Sequence, residues 1–167
     1  DGGPMPEQIV ALLRACVGPA EAADAAVAQF VDALAVNWLL GGTDAHAKNY
    51  SVLLRGRDVR LAPLYDVASA LPYDDMYLPK LRMAMRIGGE YRLSAISGRH
   101  WRRLAAAAGV EPDAIIGRID DLASLLPDAL ATAVNAEPVR SLDSALPSRL
   151  LDRIGAHAAR CRRALVS

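Results

Sequence analysis

Asp44, Asn49 and Asp66 carry the most specific chemical information in this 167-residue chain. The first two stand five positions apart in Asp44-Ala45-His46-Ala47-Lys48-Asn49, and the third closes Pro63-Leu64-Tyr65-Asp66. ATP-dependent phosphotransferases use this spacing. An Asp positions the attacking hydroxyl, an Asn five residues on holds magnesium, and a later Asp bridges metal and phosphates. Phosphoryl transfer asks a protein mainly for positioning and charge neutralisation. Magnesium prefers oxygen ligands and keeps several waters, so one carboxylate and one amide oxygen suffice as the protein's share. On this spacing Asn49 and Asp66 supply the metal oxygens, and Asp44 accepts the proton of a substrate hydroxyl. His46 and Lys48 are candidates for contacts to the nucleotide phosphates. A structural histidine and a solvent-facing lysine account for the same two residues.

The intervening elements must bring these side chains together. Residues 51–55 read as a strand, Gly56-Arg57-Asp58 as a turn and residues 59–62 as the returning strand, ended by Pro63, which has no N–H for the ladder. A hairpin with arms of nearly equal length returns Asp66 to the side of Asn49, 17 positions away in sequence. Upstream, residues 6–16 predict a short helix with Ile9, Leu12, Leu13 and Cys16 as its apolar stripe, broken by Gly18-Pro19. Residues 20–40 predict a central, buried helix with Val27, Phe30, Val31, Leu34 and Trp38 in line, capped by Gly41-Gly42. Thr43-Asp44 then opens a loop held at the end of a rigid element. Downstream, a helical turn is expected over 64–71, a loop over 72–79 in reach of a protein substrate, and a strand over 82–87. Helices follow over 100–108, 113–135 with a bend near Pro127, and 148–165. Residues 135–147 are the only candidate linker. The fold class predicted is mainly α (α+β).

The residues from Asn37 to Ser51 resemble the catalytic-loop signature of the HipA-like toxin kinases, and Pro63-Leu64-Tyr65-Asp66-Val67 resembles their magnesium-binding motif. The opening Asp1-Gly2-Gly3-Pro4, the stretch from Lys80 to Gly89 and the helical C-terminus are similar to that family too, so the likeness runs over nearly all of residues 1–167. The core Asp-x-His-x-x-Asn is also similar to the loop of phosphoinositide-type lipid kinases; the flanking Ala-Lys-Asn-Tyr-Ser and Pro-Leu-Tyr-Asp favour the HipA-like family. The resemblance implies a protein-kinase-like C-terminal lobe, a helical bundle with a small β-hairpin next to the catalytic loop. It implies an ATP- and Mg2+-dependent serine/threonine protein kinase of bacterial toxin–antitoxin systems, with Asp44 as catalytic base and Asn49 and Asp66 as metal ligands. The implied substrates are translation factors such as aminoacyl-tRNA synthetases. The implied partner is a helix-turn-helix antitoxin, with DNA reached only through it.

Such kinases open with a β-rich lobe carrying a glycine-containing phosphate loop, a phosphate-binding lysine and an adenine hinge. No such segment is found in this sequence. Gly41-Gly42 lacks the Gly-Lys-Ser/Thr of a P-loop, and Gly88-Gly89 lacks the other glycines of a dinucleotide fingerprint. The chain also starts directly on a Gly-Pro turn without Met. The expectation is a C-terminal lobe that transfers no phosphate by itself. The rival reading is a non-catalytic binding module that docks an antitoxin, a DNA-binding partner or a separate N-terminal lobe. Metal-dependent hydrolysis is disfavoured, because a water-activating site needs a richer His/Asp cluster.

With 53% hydrophobic residues the chain can bury one core, and nothing argues for two domains. A formal net charge of zero points to neither nucleic acid nor membrane. No apolar run is read as reaching the ~20 residues of a membrane span, and no signal peptide is found, so the expected location is cytoplasmic. Cys16 and Cys161 are read as buried thiols rather than a disulfide. Tyr65, Trp38 and Trp101 are read as packing residues, and Asp74-Asp75 as a solvated pair rather than a calcium site. Charge is uneven: Lys80, Arg82, Arg86 and Arg92 form either a solvated face or a surface for phosphates, an acidic partner or operator DNA.

Overall fold

The structure, a computed structural model, describes residues 3–166; Asp1 and Gly2 of the opening motif lie outside the described residues. Helix α1 spans Pro6–Cys16 and α2 spans Ala20–Leu40, as the helix breakers at either end predict. Proline in the first turn of α1 costs no hydrogen bond, and the Met5 N–H is taken up by Gln8 Oε1 at 2.9 Å. The face of α1 differs from expectation. Ile9, Val10, Leu13 and Val17 are buried, while Leu12 and Cys16 point to solvent. The period was legible but not its phase, because Val10 and Val17 complete an equally good stripe one residue round.

In α2 the whole predicted stripe is buried, with Val27 and Phe30 fully so. By length and mean hydropathy (1.3 over its most apolar window) α2 matches a membrane span, contrary to the reading above. It carries Asp24 and Asp32, however, and 61% of that window is packed inside the protein as the central helix of the core. Gly41 ends it in the left-handed region (φ 69°), where a Cβ would lie 2.5 Å from Leu71 Cγ.

Two small antiparallel hairpins follow. Strands β1 (Val52–Arg55) and β2 (Asp58–Leu61) pair with Val52 opposite Leu61 and Arg55 opposite Asp58, and Ala62 N–H to Ser51 O at 2.8 Å extends the ladder. The expected helical turn over 64–71 does not form. Asp66 takes φ 54°, which a right-handed turn excludes. The chain is instead tied to the end of α2, by Ser69 Oγ to Leu40 O (2.6 Å) and Ala70 N to Gly41 O (3.1 Å). Strand β3 (Arg82–Ile87) forms as predicted and pairs with an unanticipated β4 (Glu90–Arg92). Gly88 and Gly89, both at positive φ, make the turn between them. Gly-Gly between two short β-prone runs is the hairpin signal that identifies it.

Helices α3 (Gly98–Ala108), α4 (Pro112–Val134), a single turn α5 (Glu137–Arg140) within the candidate linker, and α6 (Leu146–Ala164) complete the chain. Helix α4 runs on through Pro127. It is joined to α2 by a bidentate Arg118–Asp32 pair (shortest contact 2.8 Å) and to α6 by Arg162–Asp120 (2.6 and 2.9 Å). Trp38 of α2 and Trp101 of α3 meet at 5.6 Å between ring centroids. Trp101 is fully buried, as a packing residue and not as a base-stacking platform. Asp74 is bound by Arg153 and Arg149 of α6, which holds the 72–79 loop on that helix.

His157 of α6 lies under the end of α2, its Nε2–H donating to Trp38 O at 2.9 Å while Arg160 donates to Nδ1. Burial keeps the ring neutral and pushes its pKa from 6.5 down to about 4. The adjacent Cys161 thiol is raised to about 12 by the same burial. Cys161 is thus the buried free thiol expected, whereas Cys16 is exposed. Above pH 6.5 neither folded nor unfolded chain protonates this ring. As pH falls toward 4 the unfolded chain takes up a proton that the folded one refuses, so stability is lost. The expected loss from this group is about 3 kcal/mol in all. Urea unfolding at pH 7 and pH 4.5 should therefore show a smaller acid loss in His157→Gln than in the parent; parallel losses would contradict the assignment.

Candidate active site

The loop after Gly41 folds onto itself through short-range bonds. His46 N–H donates to Asp44 O (2.9 Å), Asn49 N–H donates to His46 O (2.9 Å), and residues Ala47–Asn49 form one 3-10 turn. Asn49 is buried, at 5% exposure, and its Nδ2 donates to the main-chain oxygen of Asp44 at 3.2 Å. That bond fixes the amide, so Oδ1 faces His46 Nδ1 at 3.2 Å. The other ring nitrogen, Nε2, lies 3.2 Å from Asp44 Oδ1. The His46 ring therefore lies between the Asp44 carboxylate and the Asn49 amide oxygen, with one ring nitrogen facing each. The Asp44 side chain itself remains 80% exposed, open to an incoming hydroxyl.

Asp66 reaches the same loop through its neighbour. The Tyr65 hydroxyl donates to Lys48 O at 3.0 Å and lies 2.7 Å from Ser51 Oγ, whose own hydrogen then points to the phenol oxygen. Tyr65 is 42% exposed, so it is a tether and not the packing residue expected. Its signal in the sequence is modest: a polar-tipped aromatic directly before the metal-competent Asp, with a Ser at the start of the facing strand. On the other side, Gly42 lets the segment after Asp66 approach α2 closely; a Cβ there would meet Asn37 Oδ1 at 2.7 Å and Ala68 O at 3.2 Å. Asp66 is thus held from both sides in a left-handed conformation that non-glycine residues adopt at a cost. Its carboxylate is exposed and has no hydrogen-bond or ion-pair partner among the described residues.

An unpaired carboxylate and an amide oxygen are ligand types that magnesium takes, so Asp66 and Asn49 are the residues that could hold it. Among the described residues no group of three or more His, Cys, Asp or Glu side chains is arranged for a metal. Removing only the Tyr65 hydroxyl tests the tether. Tyr65→Phe is expected to raise the metal concentration needed for half-maximal nucleotide-dependent activity, while lowering stability by no more than about 1 kcal/mol. Unchanged metal dependence would leave Tyr65 without a positioning role.

Two cavities border the loop. One of about 230 Å³ is lined by Asn49, Tyr50, Ala62, Pro63 and residues of α2. Tyr50 packs edge-on against Phe30 at 5.0 Å, and burial pushes its hydroxyl up to about 12. The other, about 880 Å³, lies between His46–Lys48 and β3. Lys48 is exposed and makes no ion pair among the described residues. The predicted basic face is smaller than its sequence suggests. Arg92 is neutralised by Glu90 (3.1 Å), which holds the Glu90 carboxyl down at about 2, and Arg82 covers the Tyr91 ring at 5.2 Å.

Comparison with known proteins places this loop in context. The sequence model of the HipA-like C-terminal domain family matches residues 4–130. The chain is 34% identical to the "Putative kinase Y4mE" of Sinorhizobium fredii over 158 residues, 95% of this chain and 36% of that protein. It is 28% identical to the serine/threonine-protein kinase toxin HipA of Shewanella oneidensis over 109 residues, 65% of this chain and 24% of that protein. It thus spans about a third or less of these relatives' length. Its fold matches a chain of the solved Shewanella oneidensis complex of HipA, HipB and operator DNA. The TM-score there is 0.79 and the identity 21%, over 98% of this chain and 37% of the other. The mainly helical, kinase-like lobe expected from the sequence is therefore the fold observed. On its sequence match, this chain belongs to the HipA-like C-terminal domain family.

Proposed function

We propose that this chain is the catalytic-loop lobe of a serine/threonine protein kinase that uses ATP and Mg2+. The observation that carries the reading is the His46 ring lying between the Asp44 carboxylate and the Asn49 amide, with Tyr65, the neighbour of the unpaired Asp66, tethered to the same loop. Bound magnesium would supply charge neutralisation for the transferred phosphoryl group. Asn49 Oδ1 and the Asp66 carboxylate would hold it. The exposed Asp44 carboxylate orients the substrate hydroxyl and receives its proton. That oxygen bonds to the γ-phosphorus as the bond to the β–γ bridging oxygen breaks, and ADP leaves with the electron pair. Lys48, charged and unpaired at the rim, faces the phosphates. His46 is a positioning residue.

The phosphate loop, lysine and adenine hinge are absent from these 167 residues, so the proposal includes a nucleotide lobe contributed by further sequence or a second polypeptide. The chain by itself should bind ATP no more tightly than millimolar and show no turnover. Supplied with the portion of the Sinorhizobium relative that it does not span, it should phosphorylate serine or threonine and lose all activity in EDTA. Micromolar ATP affinity of the chain alone, or EDTA-resistant transfer, would refute this. The protein substrate belongs to the translation-factor class, such as an aminoacyl-tRNA synthetase. An antitoxin like the HipB of the matched complex is the proposed partner, with DNA engaged only through it.

A second reading, a docking module without catalysis, draws on the apolar exposure of β1, where Val52, Leu53 and Leu54 are 39%, 55% and 73% exposed. Tight association with a nucleotide lobe without any phosphotransfer would favour it.

A further inference from the structure

Four polar side chains are buried among the described residues: Asn37, Asn49, His100 and His157. Three have a local account. Asn49 belongs to the loop, His157 lies under the end of α2, and His100 accepts from the Ser97 N–H at 3.1 Å at the start of α3. Asn37 has none of that kind. It is 2% exposed in the middle of α2, where Leu34, Ala35, Trp38 and Leu39 around it are each at 1% or less. An apolar side chain would suit that place better than an amide, both for helix formation and for burial. Its Oδ1 is buried and accepts no hydrogen bond, which adds an uncompensated desolvation cost. A residue that works against stability where it stands is a candidate for function.

The contacts of the amide indicate which function. Nδ2 donates to Ala33 O at 2.9 Å, one turn back in α2, and to the Tyr50 hydroxyl at 3.3 Å. Tyr50 directly follows Asn49, and its ring packs edge-on against Phe30 of α2 at 5.0 Å. Ring and hydroxyl thus attach the end of the catalytic loop to α2 at two points. Oδ1 abuts Gly42, where a Cβ would stand 2.7 Å from Oδ1 and 3.2 Å from Ala68 O. Ala68 comes two residues after Asp66. One amide therefore stands where the entry to the loop, the residue after Asn49 and the segment after Asp66 come together.

We propose that Asn37 is a positioning residue for the metal site: through the Tyr50 hydroxyl, its amide holds Asn49 at the separation from Asp66 that a shared divalent cation needs. The inference rests on the kinase reading above and adds a residue to the same site. Asn37 touches neither metal nor substrate. Its bond to Ala33 O fixes the amide to its own helix, so the hydroxyl is held against a rigid element rather than a mobile side chain. Leucine in its place has the same branched skeleton and no donor, and would leave Tyr50 attached to α2 by the Phe30 contact alone. Tyr50→Phe removes the same bond from the other end and keeps the ring.

Mn2+ is the probe, followed by the paramagnetic resonance signal of the free ion as the chain is titrated, so neither nucleotide nor turnover enters the test. Asp66→Ala should abolish the uptake, which locates the ion. Asn37→Leu and Tyr50→Phe should each weaken it about tenfold, the low end of what groups that orient metal ligands contribute. The double variant should bind no more weakly than either single one, because both remove the same bond. Tyr50→Phe leaves α2 untouched and carries the test should Asn37→Leu fail to fold. Leu13→Ala opens a cavity under α1; it should lower the melting temperature yet leave Mn2+ affinity at the parental value, which separates position from stability. Parental affinity in Tyr50→Phe, additive losses in the double variant, or an equal loss in Leu13→Ala overturns the inference. If the parent takes up no Mn2+, or Asp66→Ala takes it up equally well, the metal reading of Asp66 fails and this inference with it. If Asp66→Ala abolishes uptake while Asn37→Leu and Tyr50→Phe bind as the parent does, the metal site stands and only the role of Asn37 falls.

Discussion

Asp44→Asn is expected to lower phosphotransfer by about 10²–10⁴-fold in a preparation that carries the nucleotide lobe, the range that a general base contributes. The loss should lie in kcat, with the Mg-ATP requirement little changed, because Asp44 is proposed to act on the hydroxyl and not on the nucleotide. The substitution is isosteric. Asn49 bonds the main-chain oxygen of residue 44 rather than its side chain, so that bond survives the change, and an Asn Oδ1 can still accept from His46 Nε2. The carboxylate is 80% exposed, and melting temperature should hold. A variant that melts normally yet retains full kcat would remove Asp44 from the mechanism and leave the binding-module reading ahead.

Asp66→Asn should reduce kcat/KM by about 10²-fold or more, since charge stabilisation through a bound metal is worth several kcal/mol. Raised magnesium should recover part of the loss, which distinguishes it from the Asp44 variant. Backbone and charge are separable at this position. Asn accepts the left-handed region almost as readily as Asp, so Asp66→Asn should leave stability unchanged, whereas Asp66→Ala should cost about 1 kcal/mol at φ 54°. Both should lose at least that much activity. Identical magnesium dependence in the parent and in Asp66→Asn would mean that this carboxylate holds no metal.

Much of this site was legible because its cues are short-range. The ends of α1 and α2 are written in Gly18-Pro19 and Gly41-Gly42, and those breakers act within a turn of where they stand. The first hairpin follows from two short runs around Gly56. The arrangement of Asp44, His46 and Asn49 spans five positions, a distance over which spacing and geometry are nearly the same information. By contrast, the shape of 64–71 was misread because local propensity favours a turn there. Contacts with Lys48 and Leu40, 17 and 29 positions away, override it. The phase of α1 was missed for a related reason: two stripes of equal quality exist, and only the body packed against the helix selects one.

Sequence alone therefore determined the family, the long helices and the first hairpin. Tertiary structure decided the rest. It tethered Asp66 through Tyr65, turned Cys16 outward and Cys161 inward, and tied Asp74 to α6. The reason is physical. Caps, turns and periodicity are energies between residues a few positions apart, whereas exposure, neutralisation of a charge and completion of a strand depend on what arrives from elsewhere in the chain.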